Sequence, residues 1–94
     1  MVLLDLLGRR WTLRVIWELR DRSMSFRDLR AACSEMSPSV LNQRLAELRD
    51  AGIVLTTANG YALSESGHEL LGLMKPLAAF AERWASRLTE QKRG

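Results

Sequence analysis

At Gly52 the hydrophobic pattern of this chain changes period, and that change limits its possible folds more than any other feature of the sequence. Upstream, in SPSVLNQRLAELRDAG, Leu41, Leu45 and Leu48 recur at i, i+4 and i+7, the spacing of one helical face. Both ends of that helix are signalled. Ser37 is a good N-cap whose hydroxyl can accept from an orphan backbone N–H. Pro38 suits the first helical position, and Gly52 can take the left-handed conformation that ends a helix. Downstream, Ile53-Val54-Leu55-Thr56-Thr57 is rich in β-branched residues and reads as a strand. Ala58-Asn59-Gly60 holds the Asn-Gly pair that favours a tight hairpin turn, and Tyr61-Ala62-Leu63 returns as a second strand.

The segments around this junction are helical. Val2 to Leu7 forms a short apolar helix, interrupted at Gly8. Trp11 to Leu19 follows with a wide apolar stripe, and Asp21-Arg22-Ser23 reads as a turn. Ser25 caps a third helix with Asp28 three residues on, a weaker form of the capping box. Ser34-Glu35-Met36 joins it to the Ser37 helix, so two short helices flank a tight connection, a helix-turn-helix pattern. Ser64 caps a last helix whose apolar residues keep helical spacing to about residue 90, with Pro76 expected to kink or split it. A polar-faced helix directly followed by a hairpin is the element order of a winged helix. The chain is therefore expected to be one mainly α domain over residues 1–94. Its recognition helix spans about 37–51, its hairpin wing about 53–63 and its dimerising terminal helix about 64–90.

The outer face of the Ser37 helix carries Ser39, Asn42, Gln43, Ala46 and Asp50, small and polar side chains. Asn and Gln suit adenine edges in a major groove, and Ser suits either partner. Arg44 flanks the core and can reach a guanine or a phosphate. Net charge is +3, mildly basic and unevenly placed: residues 1–30 carry seven Arg against four acids, and residues 31–70 two Arg against five acids. A basic footprint on nucleic acid must therefore draw on the N-terminal half and on the tail, where five basic residues face two acids.

The last helix has more apolar residues than one small core can absorb. An exposed patch of that size is a liability in a monomer, which points to a homodimer built on Leu77, Phe80 and Trp84, with Leu3 of the first helix adding to the interface. One cysteine, Cys33, excludes an internal disulfide and a cysteine zinc cluster and fits a reducing compartment. His68 is the only histidine, so no zinc site is expected. No apolar run approaches the ~18 residues of a membrane span. The start, MVLLDLLGRRW, lacks the layout of a signal peptide, so a cytoplasmic protein is expected. No phosphate loop, nucleophile–base pair or carboxylate dyad stands out, which argues against an enzyme.

Four stretches together resemble the HxlR-type winged helix-turn-helix transcriptional regulators, a bacterial family: LLGRRWTLRVIWEL at 6–19, SFRDLRAAC at 25–33, SPSVLNQRLAELRDAGIV at 37–54, and YALSESGHELL at 61–71 followed by FAERW at 80–84. The resemblance implies a dimeric regulator of double-stranded DNA with a palindromic operator, usually without a cofactor. It carries Ser39, Asn42, Gln43 and Arg44 over as recognition-helix residues. Arg10, before the Trp, and Arg27, near the start of the preceding helix, carry over as phosphate contacts. The family wing is usually longer and often basic; TTANGYA has no Arg or Lys, leaving Asn59 as the one polar candidate at the tip. The Cys that relatives often carry ahead of the first helix has no counterpart here. Two other readings stay open: an interaction module with weak or no DNA binding, suggested by the neutral recognition helix, and a regulator gated by a small-molecule effector between dimer helices.

Overall fold

A computed structural model describes residues 2–93. Helices α1 (Val2–Leu7), α2 (Thr12–Glu18), α3 (Phe26–Ala32) and α4 (Pro38–Asp50) precede a hairpin of β1 (Val54–Thr57) and β2 (Gly60–Leu63). The long helix α5 (Glu65–Arg93) follows. This is the mainly helical, hairpin-bearing winged helix that the sequence predicts.

The change of period is a physical junction. Gly52 takes φ 74°, its N–H donates to the Arg49 carbonyl at 3.0 Å, and the Ile53 N–H donates to the Leu48 carbonyl at 2.9 Å. This is a Schellman ending, which satisfies two of the last orphan carbonyls of α4. Leu48 and Ile53 are both buried in the core beside it. Ser64 ties the start of α5 to the same junction. Its hydroxyl accepts from the Gly67 N–H at 3.0 Å and lies 2.6 Å from the Gly52 carbonyl, to which it donates. Ser25 caps α3 as expected, accepting from the Asp28 N–H at 3.1 Å.

Leu41, Leu45 and Leu48 of α4 are buried and pack with Val15 and Ile16 of α2, Leu19 at its C-terminal end, and Leu29 of α3. Val54, Leu63 and Leu71 close the core from the hairpin and the first turns of α5. The turn between α3 and α4 places Ser34 and Glu35 at φ 60° and 56°. Arg30 braces it, donating from Nε to the Met36 carbonyl at 2.7 Å and pairing with Glu35 at 3.2 Å. Two consecutive left-handed residues in so short a connection set the angle between the helices, and Arg30 fixes it.

Three expectations need correction. Ser37 does not cap α4 with its side chain. The Ser37 hydroxyl instead pairs with that of Ser39 at 3.0 Å. Pro76 does not split the last helix, which runs unbroken through it. Proline leaves the Gly72 carbonyl without its helical donor, but Gly72 and Pro76 are both exposed, so water can take that bond. Lastly, Asn59-Gly60 is not the central pair of the hairpin turn. Thr57 pairs with Gly60, so the loop is Ala58-Asn59, and among the described residues neither has a positive φ. Gly60 takes φ 124° for a different reason. Met24 lies across β2 as a third strand-like segment, exchanging N–H···O bonds of 2.9 and 2.8 Å with Tyr61. A Cβ on Gly60 would sit 2.2 Å from the Met24 carbonyl oxygen.

Candidate nucleic-acid interface

With one face of α4 buried, the opposite face is free. Ser39, Asn42 and Gln43 are exposed on it. Their spacing of i, i+3 and i+4 sets them side by side. Among the described residues neither amide side chain has a hydrogen-bond partner in the protein, so both keep their donors and acceptors for an outside group. Ala46 lies one turn on, and its small side chain leaves room for close approach. Asp50 is exposed beyond it, and Arg49 leans toward the hairpin, with a guanidinium nitrogen 3.4 Å from Thr56 Oγ1.

Arg44 does not join this face. Its Nε donates to the Arg10 carbonyl at 2.9 Å and its terminal nitrogen pairs with Glu47, leaving the side chain 12% exposed. Glu47 also holds Arg9 at 3.4 Å. No local signal announces this arrangement. By spacing, Arg44 and Glu47 look like surface residues of a helix, while the carbonyl that holds Arg44 lies 34 positions away.

Arg10 and Arg27 are exposed. The Arg10 guanidinium stacks over the Trp11 ring, 5.5 Å from its centroid. Asn59 is exposed at the hairpin tip, its N–H donating to Thr57 Oγ1 at 3.2 Å. Arg27 is the second residue of α3, the helix that follows the Met24 segment, and that segment runs antiparallel to β2. Leaving Met24 toward Ser25 leads toward the Gly60 end of the hairpin, where a Cβ on Gly60 would sit 2.8 Å from the Ser25 Cα.

The dimer candidates lie elsewhere. Leu3, Leu77, Phe80 and Trp84 are all exposed, as are Leu73 and Leu88. From Pro76 to the end of α5 every residue whose exposure is described is solvent-facing. The core stops at Leu71 and Met74; the apolar stripe continues past it, with Leu13 and Trp17 flanking Leu77 and Phe80, Trp84 and Leu88 exposed beyond.

Cys33 is fully buried, and burial pushes its thiol above the ordinary value; Arg14 acts the other way, and Glu18 adds to the rise. A protonated, covered thiol is a poor nucleophile, so Cys33 serves as a small core hydrophobe. Iodoacetamide at pH 8 is expected to label it far more slowly in the native protein than in denaturant; equal rates would show the site to be open. Because the native pKa is raised, this group's contribution to stability is present below the free-thiol pKa and is lost as pH rises past it. Among the described residues no group of His, Cys, Asp and Glu could hold a metal ion, and no helix is long and apolar enough to cross a membrane.

Comparison with known proteins agrees with this architecture. The uncharacterized HTH-type transcriptional regulator YvaP of Bacillus subtilis (strain 168) is 28% identical over 87 residues, covering 85% of this chain and 81% of its own. The crystal structure of quinone-bound YodB from B. subtilis superposes with a TM-score of 0.78 at 30% identity, over 84% of this chain and 90% of that one. A possible HxlR family transcriptional factor from Thermoplasma volcanium GSS1 gives 0.80 at 29% identity, over 87% and 80%. The names these relatives carry are those of transcriptional regulators, not of enzymes. Residues 6–89 match the HxlR-like helix-turn-helix family, and the chain belongs to it.

Proposed function

We propose that this regulator binds double-stranded DNA sequence-specifically as a homodimer, with α4 in the major groove. One observation carries the reading: Ser39, Asn42 and Gln43 form an exposed row on α4, both amides unpaired, opposite a face locked into the core. Polar groups so placed are suited to base edges. Arg10 and Arg27 supply phosphate contacts at the flanks, and Asn59 is the polar group the short wing offers. Two such helices, related by a dimer axis, would meet successive major grooves one turn apart, ~34–36 Å, so the operator is a palindrome. Such a protein works where the genome is, in the cytoplasm.

Selection of bound sequences from a random duplex pool, followed by competition with single-base variants, tests this. Asn42→Ala and Gln43→Ala should each relax preference at one base pair by about 1–3 kcal/mol with the fold intact. Arg27→Ala should instead weaken all sequences alike and lower the salt slope by roughly one for each phosphate no longer neutralised. Base preference unchanged in both amide variants would remove α4 as the reader. Absence of any steep salt dependence in the parent would favour an interaction module without DNA binding, the reading consistent with the neutral charge of α4.

A further inference from the structure

Arg44 has the side chain of a DNA-contacting residue, but its contacts are those of a clamp. Among the described residues it is the least exposed of the ion-paired arginines, at 12% against 35–52% for the others. Its donors are directed into the protein: Nε to the Arg10 carbonyl at 2.9 Å, and a terminal nitrogen to Glu47 Oε1. The second oxygen of Glu47 takes Arg9 at 3.4 Å. Two residues one turn apart on α4 thus hold two consecutive residues of the turn joining α1 to α2, one by its backbone and one by its side chain.

That turn is conformationally unusual. The next residue, Trp11, has φ 78° and ψ −14°. A left-handed backbone is uncommon for any residue with a Cβ and an outlier for a bulky one. Such a conformation persists where its surroundings over-determine it. Here the Trp11 ring packs against the core, the Thr12 N–H closes on the Arg9 carbonyl at 3.2 Å, and Arg44 pins the carbonyl immediately before Trp11. Arg10, whose guanidinium lies over the Trp11 ring, is placed by the same arrangement.

We infer that Arg44 and Glu47 are positioning residues: they lock the Arg9–Trp11 turn onto the reading helix, so that Arg10 and helix α1 are held in fixed relation to Asn42 and Gln43. This rests on the DNA-reading role proposed for α4. The pair acts on DNA binding through the turn, without contact to a base or phosphate.

Three variants test it: Arg44→Lys, Glu47→Gln and the two combined, with far-UV circular dichroism to check the fold. Lysine keeps the charge but lacks the guanidinium fork that serves two acceptors at once. Amide hydrogen exchange on DNA-free protein reads the clamp directly, and exchange across residues 8–12 should quicken in all three. Affinity for the selected operator should fall about tenfold in each single variant. It should fall no further in the double, because the two act as one unit. The ranking of single-base operator variants should not change.

Glu47→Gln is the sharpest arm. It removes a negative charge from a protein of net charge +3, so simple attraction to DNA predicts tighter binding, whereas release of the clamp predicts weaker binding. Unchanged exchange in the turn, or tighter binding by Glu47→Gln, would overturn the inference. A change of preferred base in Arg44→Lys would do so too, by making Arg44 a direct reader. A parent protein with no preference for any duplex would refute the proposed DNA reading and with it the positioning role, while the exchange data would still show separately whether the clamp exists.

Discussion

Trp84→Ala should abolish tight operator binding without any change at the DNA-facing surface. Trp84 is 53% exposed and Phe80 47% exposed on the overhanging part of α5, in line with Leu77. Aromatic surface left in water on an otherwise well-packed domain marks an association site. Truncating an aromatic side chain that a partner fully buries costs about 3–5 kcal/mol, and in a two-fold interface each substitution acts on both copies. At about 1.4 kcal/mol per decade, disruption of the dimer should weaken binding to a palindrome by about a hundredfold or more. Binding to an isolated half-site should change little, since Ser39, Asn42 and Gln43 lie on a different element. Light scattering on the parent at micromolar concentration is the direct check: a monomeric mass defeats the dimer, and equal weakening on palindromes and half-sites would place the effect of Trp84 elsewhere.

Gly60→Ala should be among the most damaging substitutions to stability, and Gly52→Ala much milder, although both glycines have positive φ. At Gly52 an added Cβ meets nothing within 4 Å. Only the left-handed backbone costs, about 1–2 kcal/mol. At Gly60 the Cβ would collide with backbone, 2.2 Å from the Met24 carbonyl oxygen and 2.8 Å from the Ser25 Cα. Relieving that clash means parting Met24 from Tyr61 and breaking two hydrogen bonds that join the hairpin to the α2–α3 connection. Backbone strain and overpacking together should cost about 3 kcal/mol or more, a large share of the ~5–15 kcal/mol that holds a small domain. Urea unfolding of the two variants should show unequal shifts in midpoint at similar m. Equal shifts would mean that the Met24 segment yields easily and that its bridge to Tyr61 adds little.

The features legible in the sequence are those set by neighbours in the chain. The period of Leu41, Leu45 and Leu48 defines α4, and the β-branched run after Gly52 defines β1. Ser25 and Ser64 mark helix starts because a cap needs only the next three residues. Structure and local pattern part company at positions decided across distance. Asn-Gly suggests a turn by local preference, but Gly60 is required by Met24, which approaches from the α2–α3 connection. Arg44 sits on a helix face by spacing, but its guanidinium is taken by a carbonyl 34 positions away. Pro76 breaks helices by local rule, but at an exposed site water can satisfy the carbonyl it strands. The exposed amides of Asn42 and Gln43 can be anticipated because amphipathic spacing fixes both faces of a helix at once.

The unbroken run of α5 through Pro76 has a metrical consequence. Its 29 residues span roughly 43 Å at 1.5 Å per residue, close to the longest dimension of the domain, 52 Å. In a dimer packed along the free end of α5, that helix is a ruler. Sliding the pairing by one helical turn shifts each head by about 5.4 Å, more than the ~3.4 Å between successive base pairs. Change among Leu77, Phe80, Trp84 and Leu88 could therefore retune the number of base pairs between half-sites while leaving every base-reading side chain as it is.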